Sequence, residues 1–570
     1  MNYLKKNAGL ISKVILLIIC FLLFIPNMTN YPFIDTNETK LVTIAKDMLN
    51  NSDWVNIKLN GNEMFSIPPL FVWMINFSCV LFGKISTEVV RLPIALTTIL
   101  GIYAIFVTLK GILRKTYSFI IAIIMATSLG TLVFSRLATN DILFVVFTMV
   151  AILFSYRVIF KSKTKYWAGI YLFSTLAFLS GGLFGLLIPI LSILTIHIVS
   201  GKLKEALNLK NIFMVLLIFS ILTIPYYSIM LYKYGFNFVQ EYLSAYNFFK
   251  YAGIKEAFKV IGLFILAFSP WAFSFLWILG RKSKDILNTV ISYFKNNSQV
   301  KLKEKWEELA LIDKFLSLNS IVFFISFVFA ILYGSKYTFL ILFMMFPASC
   351  IAGNYWYEYI IKKEHDKSIF FATIIPNVIL IICSLTCIFG HNIINQWLFH
   401  GLNHLVTPLV IIFFVIPIIG IFSVILKGRI VPFLTNIILM ISLSFVITPS
   451  IFNFITLNGG ENDLIKFATI ANKDGAKLSA FITSKKYSLI YYYDAPITFL
   501  KNKDIDVLKD YLNKNPQNYV VVEIKDMWKV EEKGIKYILI DSGKRYCLIQ
   551  KMPKSIEEKE QDTEPQIFVY

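Results

Sequence analysis

The sequence predicts an α-helical polytopic membrane protein with about thirteen transmembrane helices and a small extracytoplasmic α/β domain at its C-terminal end. Hydrophobic residues make up 57% of the 570 residues and charged residues only 16%, whereas soluble domains carry about 25% charged residues. Apolar stretches of about 20 residues, the length that spans a bilayer, recur until residue 452 and are followed by a polar tail. This composition excludes a soluble globular enzyme, a disordered chain and a disulfide scaffold.

The apolar stretches give the positions of the predicted spans. They cover residues 11–27, 91–109, 117–134, 142–160, 166–179, 182–199, 212–232, 259–280, 316–333, 337–357, 369–390, 405–426 and 431–452. We interpret the first as a retained helix, because no small-residue cleavage site of a signal peptide follows it. The run 68–83 is short and begins with Pro68 and Pro69, which favours an interfacial helix over a further span.

Clusters of lysine and arginine between the spans predict their orientation. If residues 68–83 do not cross the bilayer, the clusters fall on one side, which the positive-inside rule makes cytoplasmic. The N-terminus is then cytoplasmic, whereas residues 28–90 and the tail are extracytoplasmic. Because the formal net charge of +20 resides mostly in these clusters, we expect membrane lipids as partners and no nucleic acid.

By composition the chain divides into three parts. A membrane domain covers residues 1–452 and includes the outer loop 28–90, an α/β domain covers 453–553, and a charged, disordered tail covers 554–570. Periodicity within the α/β domain predicts helices near 463–472 and 504–512, and extended segments near 478–483, 489–493 and 519–524.

Other function classes have little support in the sequence. It contains no P-loop, no internal repeat and few acidic residues within spans, so a transporter or flippase is the weakest alternative. The cysteines lack metal-ligand spacing. His391, His400 and His404 share an outer loop without a carboxylate, which favours interfacial histidines over metal ligands. We therefore expect no metal and no cofactor.

Polar residues that could carry chemistry concentrate in the first outer loop and at the span boundary that faces it. They are Asp35, Asn37, Glu38, Lys40, Arg91, Arg136 and Asp141. Carboxylates beside arginine and lysine at a membrane surface suit recognition of a charged lipid headgroup and acid–base chemistry. The alternative is a solvated loop whose charges have no role, and spacing alone leaves both interpretations open.

The motifs of the first 160 or so residues resemble those of GT-C-fold, polyprenyl-phosphate-dependent glycosyltransferases. Within that group the sequence is most similar to the lipid A aminoarabinose transferases and the protein O-mannosyltransferase superfamily. The matching positions are Met48-Leu49, Ser52-Asp53-Trp54, Gly61, Phe65, Pro68-Pro69, Trp73, Arg91-Leu92-Pro93 and Arg136-x-Ala138-x-x-Asp141. Pro270-Trp271 and Ser335-Lys336 resemble later landmarks, so the resemblance extends more loosely over most of the chain.

Two positions depart from the family pattern. Counted back from Met48-Leu49, the leading aspartate of the family falls on Asn37 and the following glutamate on Glu38. The lysine that contacts the lipid phosphate falls on Ile67. Asp35 would take the place of the aspartate if the helix entry were shifted by two residues. The resemblance implies that Glu38 and Asp141 organise the site, with Asp35 or Asn37 near the reacting centre.

The resemblance also implies a reaction. Because Ile67 replaces the family lysine, we expect other cations to offset the charge of the lipid phosphate, and the candidates are Lys40, Lys58, Arg91, Arg136 and Lys336. The reaction is an inverting transfer of a sugar from a polyprenyl-phosphate donor on the outer face of the bacterial inner membrane. The acceptor is lipid A or another envelope glycolipid. Asn37 favours a phosphate acceptor, because a hydroxyl acceptor needs a general base whereas a phosphate is already an anion at neutral pH.

Two further interpretations stay open at this stage. A catalytically inactive homologue that binds a lipid-linked sugar or a partner enzyme is the alternative to a transferase. The outer segment 233–258 is rich in aromatic residues, among them Phe238, Tyr242 and Tyr246. These residues either line a polyprenyl groove or belong to the aromatic belt of a membrane interface.

Overall fold

The computed structural model describes residues 2–35, 37–161, 164–244, 246, 253–281, 306–334, 338–364, 368–389, 403–500 and 504–553. The chain forms two compact units. Residues 1–28 and 65–450 form a helical unit, and residues 29–64 and 451–570 form a second unit. This division differs from the predicted one, because most of the first outer loop belongs with the C-terminal part of the chain.

The helices follow one another along most of the chain. The first twelve are α1 (Asn2–Phe24), α2 (Asn37–Asn50), α3 (Pro69–Phe82), α4 (Thr87–Leu109), α5 (Lys115–Ala126), α6 (Leu129–Phe134), α7 (Asp141–Lys161), α8 (Tyr166–Gly181), α9 (Leu183–Val199), α10 (Leu203–Ala206), α11 (Leu209–Ser244) and α12 (Ile254–Ala267). The others are α13 (Ala272–Arg281), α14 (Leu311–Tyr333), α15 (Thr338–Tyr357), α16 (Ile375–Phe389), α17 (Asn403–Ile425), α18 (Val431–Gly459), α19 (Glu461–Asp474), α20 (Tyr487–Tyr492), α21 (Ile505–Lys514) and α22 (Met527–Glu532). Short π-helical segments, Glu358–Lys362 and Phe370–Ile374, and a 3-10 turn, Ile524–Asp526, complete the helical structure of the described residues.

The predicted spans coincide with helical segments over the residues that the structure describes. Six of these helices are long and apolar enough to cross a bilayer, namely Thr87–Leu109, Asp141–Lys161, Leu209–Ser244, Leu311–Tyr333, Thr338–Lys362 and Val431–Thr456. The polytopic membrane character is confirmed, and the number of spans stays a prediction. Helix α3, in the run 68–83, has 14 residues. It is about 21 Å long, shorter than a bilayer core of about 30 Å.

Two of the predicted spans are broken, one between α5 and α6 and the other between α12 and α13. The backbone N–H of Leu129 donates to the carbonyl of Ser269 over 3.0 Å. The indole N–H of Trp271 donates to the hydroxyl of Thr127, also over 3.0 Å. Because lipid offers no hydrogen-bond partners, a helix can break within a membrane domain only where other protein groups bind the freed polar groups. The two breaks provide these groups for each other.

Helices α8 and α9 form a close hairpin that depends on glycine. Gly182 joins them with a φ of 59°, in the left-handed region that glycine adopts without steric cost. A Cβ atom on Gly185 would lie 1.9 Å from the carbonyl oxygen of Ala177 on α8. The two helices can therefore approach this closely only because Gly185 has no side chain.

The second unit contains a five-stranded sheet. Its strands are β3 (Leu478–Phe481), β4 (Thr498–Phe499), β5 (Tyr519–Glu523), β6 (Tyr537–Ser542) and β7 (Tyr546–Lys551), in the order β4-β3-β5-β7-β6. β3 runs parallel to β4 and β5, whereas β7 is antiparallel to both β5 and β6. A small hairpin of β1 (Lys58–Leu59) and β2 (Asn62–Glu63) lies in the first outer loop.

Helices cover both faces of this sheet. Val521 of β5 packs into the core that α19 and α20 complete, whereas Val520 and Val522 pack into the core that α21 and α22 complete. Successive side chains of a strand point to opposite faces, so the apolar run of β5 contributes to two cores. The C-terminal residues thus have α/β architecture, and their extracytoplasmic location stays a prediction.

One predicted segment of this domain is wrong. Residues 489–493 were expected to be extended, but most of them lie in the helix α20. The residue that precedes this helix, Lys486, makes no capping bond with its side chain. The cap comes from Asp35, far away in the sequence, and local patterns carry no information on such a contact. Strands β6 and β7 have no counterpart among the predicted segments.

The carboxylate of Asp35 provides the cap of α20. Its Oδ1 accepts hydrogen bonds from the backbone N–H groups of Tyr487 and Ser488 over 2.7 and 3.1 Å. Its Oδ2 lies 3.2 Å from Nζ of Lys486, and its side chain is only 1% exposed. The first N–H groups of a helix have no partner within the helix, and the helix dipole favours an anion there. Asp35 is therefore engaged in holding the outer loop to the sheet domain.

Two further contacts fasten the outer loop to this domain. At the other end of α20, the ammonium of Lys46 donates to the carbonyl of Tyr491 over 2.9 Å, where the helix dipole favours a cation. Asn60 exchanges two hydrogen bonds with the backbone of Ile497, over 2.8 and 2.9 Å. Helix α2 also packs against α20. The loop and the domain therefore fold as parts of one unit.

Lys486 is shared by two buried carboxyl groups. Besides Asp35, it lies 3.7 Å from Oε1 of Glu461. Burial raises the pKa of both carboxyls above their usual range, although the charge of Lys486 acts in the opposite direction. As the pH rises, the unfolded chain loses these protons at a lower pH than the folded protein does. The stability contributed by the two groups therefore falls as the pH rises from about 4 through their raised pKa values.

Gly185→Ala is expected to destabilise the protein by about 1–3 kcal/mol, because the added Cβ meets a backbone carbonyl that cannot rotate away. Gly262→Ala is the matched control. A Cβ at Gly262 meets nothing within 4 Å, and alanine is the better helix former within α12. Thermal unfolding of the purified protein in detergent measures both variants. Equal melting temperatures would contradict the close approach of α8 and α9.

Asp35→Ala is expected to lower the free energy of unfolding by about 1–2 kcal/mol, because two N–H groups of α20 lose their acceptor. Asp35→Asn keeps an acceptor oxygen, so it should lower the free energy of unfolding by less. It should also reduce the loss of stability between pH 4 and pH 7, because one carboxyl group with a raised pKa has been removed. Asp510→Ala, on the exposed face of α21, is the control. Equal melting temperatures of Asp35→Ala and Asp510→Ala would contradict the cap.

Candidate functional site

The start of helix α2 turns two candidate residues in opposite directions. Asn37 is the first residue of the helix and is exposed, whereas Glu38 is fully buried. Oε2 of Glu38 accepts a hydrogen bond from the backbone N–H of Ile34 over 2.9 Å. The hydroxyl of Thr39 donates to the carbonyl of the same Ile34 over 2.7 Å. Glu38 therefore stabilises the entry to the helix, and Asn37 is the member of the pair that solvent can reach.

This geometry bears on the register of the family motif. The helix begins at Asn37, the position that the count from Met48-Leu49 matches to the family aspartate. Asp35, the alternative, is buried against the start of α20. At the exposed position the chain therefore has an amide, which carries no charge and does not act as a general base at neutral pH.

Asp141 is the candidate carboxylate of the helical unit. It is the first residue of α7 and is 6% exposed. Its Oδ1 accepts a hydrogen bond from the hydroxyl of Thr338, the first residue of α15, over 2.9 Å. The N-terminal ends of two helices thus lie side by side at this carboxylate, and both helix dipoles favour its negative charge.

The two predicted phosphate-binding arginines have other partners in the structure. The fully buried guanidinium of Arg136 donates to the carbonyl of Leu23 through Nε and Nη2, over 2.9 and 2.6 Å, and to the carbonyl of Ser444 through Nη1 over 3.0 Å. Leu23 lies in the last turn of α1, where carbonyls lack a partner within the helix. Arg91 is equally buried and donates to the carbonyl of Met28.

These contacts differ from the predicted phosphate contacts and have a simple cause. A guanidinium carries five N–H donors and cannot lose its charge in a protein, so a buried arginine requires acceptors on several sides. Backbone carbonyls at helix and loop ends provide them here. Arg91 and Arg136 therefore stabilise the helical unit in this conformation, in which both are fully buried, and their predicted contact with a phosphate stays a prediction.

The remaining charged positions of the predicted site differ in exposure. Lys40 lies in the first turn of α2 and is partly buried. Lys336 lies outside the described residues. Ile67, at the position of the family lysine, is buried within the helical unit. Among the described cations of the predicted site, Lys40 and Lys58 keep part of their surface exposed.

Aromatic rings form a continuous row in the helical unit. Neighbouring rings have centroids 5.4 to 5.9 Å apart, in the order Phe65, Phe238, Tyr242, Tyr246, Phe184 and Phe339. Phe339 directly follows Thr338, so the row ends next to the partner of Asp141. The aromatic segment 233–258 thus contributes buried rings to this row, while Phe236 of the same segment is exposed. Its other members come from distant parts of the sequence and were not predicted.

The second unit has a small cavity of about 150 Å³ beside Lys46, lined also by Asp47, Asn50, Asn60 and Asp494 among others. None of the predicted site residues lines this described cavity. Within the described part of the chain, no group of three or more histidine, cysteine, aspartate or glutamate side chains is placed to hold a metal ion. His391 and His400 lie outside that part.

Sequence comparisons support the resemblance. Residues 66–228 match the family described as dolichyl-phosphate-mannose-protein mannosyltransferase. An uncharacterised protein of Aquifex aeolicus is 26% identical over 255 residues, which are 44% of this chain and 56% of that protein. The undecaprenyl phosphate-alpha-4-amino-4-deoxy-L-arabinose arabinosyl transferase of Yersinia enterocolitica is 25% identical over 173 residues, which are 30% of this chain and 31% of that protein. The chain thus matches about half the length of the first relative and about a third of the second.

Solved structures give the fold over nearly the whole chain. ArnT from Cupriavidus metallidurans, bound to undecaprenyl phosphate, superposes with a TM-score of 0.70 at 14% identity and covers 94% of this chain and 97% of its own. The oligosaccharyltransferase of Archaeoglobus fulgidus, in the apo form, has a TM-score of 0.50 at 12% identity and covers 92% of this chain and 71% of its own. The resemblance predicted from the sequence is therefore confirmed, and this chain has the GT-C fold of the polyprenyl-phosphate-dependent glycosyltransferases.

Proposed function

We propose that this protein transfers a sugar from a polyprenyl-phosphate donor to lipid A or another envelope glycolipid on the outer face of the bacterial inner membrane. The observation that carries the proposal is the likeness of 94% of the chain to ArnT, whose structure contains undecaprenyl phosphate. The name of the Yersinia relative also combines undecaprenyl phosphate with a sugar transfer. The proposed donor is therefore a lipid-linked sugar.

The proposed reaction is an inverting single displacement. An oxygen of the acceptor attacks the anomeric carbon of the sugar from the face opposite the phosphate. The bond from that carbon to the phosphate oxygen breaks, and polyprenyl phosphate leaves with the electron pair. Because negative charge grows on the leaving phosphate, a nearby cation lowers the barrier. Lys40 and Lys336 are the cations that we propose for this role, since Lys40 keeps part of its surface exposed whereas Arg91 and Arg136 are fully buried.

The exposed amide at the start of α2 supports a phosphate acceptor. A hydroxyl acceptor must lose a proton during attack and therefore needs a general base, which Asn37 cannot be. A phosphate group on the acceptor has its second pKa near about 6 and is a nucleophilic anion without assistance. In this proposal Asp141 faces the positive charge that develops on the sugar ring in the transition state.

The row of aromatic rings supports a lipid-linked donor. Most of its rings are buried in this conformation, and the row ends next to Asp141 and Thr338, so a lipid chain that enters there meets aromatic side chains, which are large apolar surfaces. The proposal therefore places the lipid chain of the donor along this row, with its phosphate toward Asp141.

A catalytically inactive homologue that binds a lipid-linked sugar or a partner enzyme is the second candidate. It is favoured by the two departures from the family pattern, the amide at Asn37 and the apolar side chain at Ile67. Both candidates share the binding of a lipid-linked sugar, so only product formation distinguishes them.

Asp141→Asn is expected to lower kcat at least about 100-fold, the usual scale for loss of a reacting carboxylate, because the amide cannot offset positive charge on the sugar. The measurement uses the purified protein in proteoliposomes, with undecaprenyl phosphate-linked 4-amino-4-deoxy-L-arabinose as donor and lipid A as acceptor. Glu205→Gln, which removes an exposed carboxylate on α10, is the control. Turnover of Asp141→Asn at the wild-type rate would remove Asp141 from the site.

Asn37→Asp separates the two candidate functions. If the wild-type protein acts on a phosphate acceptor, no base is needed, and the variant should retain transfer within about threefold of wild type. If the wild-type protein is an inactive homologue, it forms no product. In that case Asn37→Asp, which restores the family aspartate, is expected to form measurable product. The same proteoliposome assay reads both outcomes. An active wild type that Asn37→Asp inactivates would contradict the phosphate-acceptor argument.

A further inference from the structure

The start of helix α15 holds a residue that no sequence motif singled out. We propose that Thr338 is a positioning residue for Asp141, and that its hydroxyl fixes the orientation in which this carboxylate serves sugar transfer. The inference rests on the proposed function, because that function gives Asp141 its role in the reaction.

The geometry of the pair is specific. Thr338 Oγ1 lies 2.9 Å from Asp141 Oδ1, and 197 residues separate the two in the sequence. An ionised carboxylate has no proton to donate, so the hydroxyl must be the donor. Buried threonines in this protein often use their hydroxyl differently. Thr175 of α8, for example, donates to the carbonyl of Tyr171 in its own helix over 2.9 Å.

The two helix starts that carry the pair are packed against each other by aromatic rings. The ring of Phe339, which follows Thr338, lies 4.9 Å from the ring of Phe144 in the first turn of α7. It also lies 5.6 Å from the ring of Phe184 at the start of α9. These contacts restrain the backbone of α15 where Thr338 begins it. The backbone that carries the Thr338 hydroxyl is thus held in position next to Asp141.

The hydrogen bond from Thr338 matters because the carboxylate of an aspartate otherwise rotates freely. The terminal torsion of an aspartate is broad, so the plane of its carboxylate rotates easily. The hydroxyl of Thr338 restrains that plane together with the backbone N–H of Phe339 and the hydroxyl of Thr139, which also interact with this carboxylate. Catalytic groups lose large factors in rate when they are misplaced by about 1 Å. Thr338 therefore acts on the reaction through Asp141 and need not touch the substrate.

The test compares three variants in the proteoliposome assay with the arabinose-derived donor and lipid A named above. Thr338→Val removes the hydroxyl at nearly constant shape, and its kcat should fall roughly tenfold, the scale of one hydrogen bond to a charged group. KM for the donor should change less than about twofold. Thr338→Ser restores the hydroxyl and should regain most of the rate. Thr175→Val, which removes a buried hydroxyl elsewhere, should leave kcat unchanged.

A second measurement keeps the proposal testable if Thr338→Val folds poorly. Melting temperatures of Thr338→Val, Asp141→Ala and the double variant form a cycle that reports the coupling of the two side chains. A clear coupling together with rescue by serine supports the proposal. Additive effects, or a Thr338→Val variant with the kcat of Thr175→Val, would overturn it.

The outcome also separates this proposal from the proposed function. An active wild type whose rate is indifferent to Thr338 overturns the positioning role alone. A wild type that forms no product contradicts the proposed function and removes the role of Thr338 with it.

Discussion

The contact between Asp35 and the start of α20 determines how the first outer loop is arranged. Because the carboxylate binds two backbone N–H groups and Lys486, the chain enters α2 with Asp35 turned inward and Asn37 turned outward. Glu38 then accepts a hydrogen bond from the backbone N–H of Ile34 and is buried. One long-range cap thus decides which polar residue of the motif meets solvent. The proposed acceptor was chosen from this arrangement, since an exposed amide suits an acceptor that is already an anion.

In the helical unit, the same requirement for hydrogen-bond partners explains features that otherwise look unrelated. A buried guanidinium needs acceptors and a broken helix leaves polar groups without partners. Arg136 therefore binds the carbonyl of Leu23 in the last turn of α1, and the two broken spans bind each other through Ser269 and Trp271. Asp141 obeys the same rule through Thr338. This hydrogen bond lies at the end of a row of mostly buried aromatic rings.

Patterns in the sequence predicted the features that depend on local composition. Hydropathy located the helical segments, and short strand-like segments located β3 and β5. Motif spacing matched Asn37 to the family aspartate, and α2 begins at this residue. The failures concern contacts between distant residues. Residues 489–492 lie in α20, whose first residue, Tyr487, is capped by Asp35 from 452 positions away. The carbonyls that bind Arg91 and Arg136 lie 63 and 113 positions away, so no local pattern could predict these contacts. Thr338 was missed for the same reason.

The central claim is that this protein adds a sugar to an envelope glycolipid, with lipid A as the first choice of acceptor. The most direct test is the mass spectrum of lipid A from a strain that lacks the gene, compared with the parent strain and with strains that carry the wild-type or the Asp141→Asn protein. The account predicts a lipid A species heavier by one sugar in the parent and in the wild-type complement, and its loss in the other two strains. Identical spectra of lipid A and of the other envelope glycolipids in all four strains would contradict it.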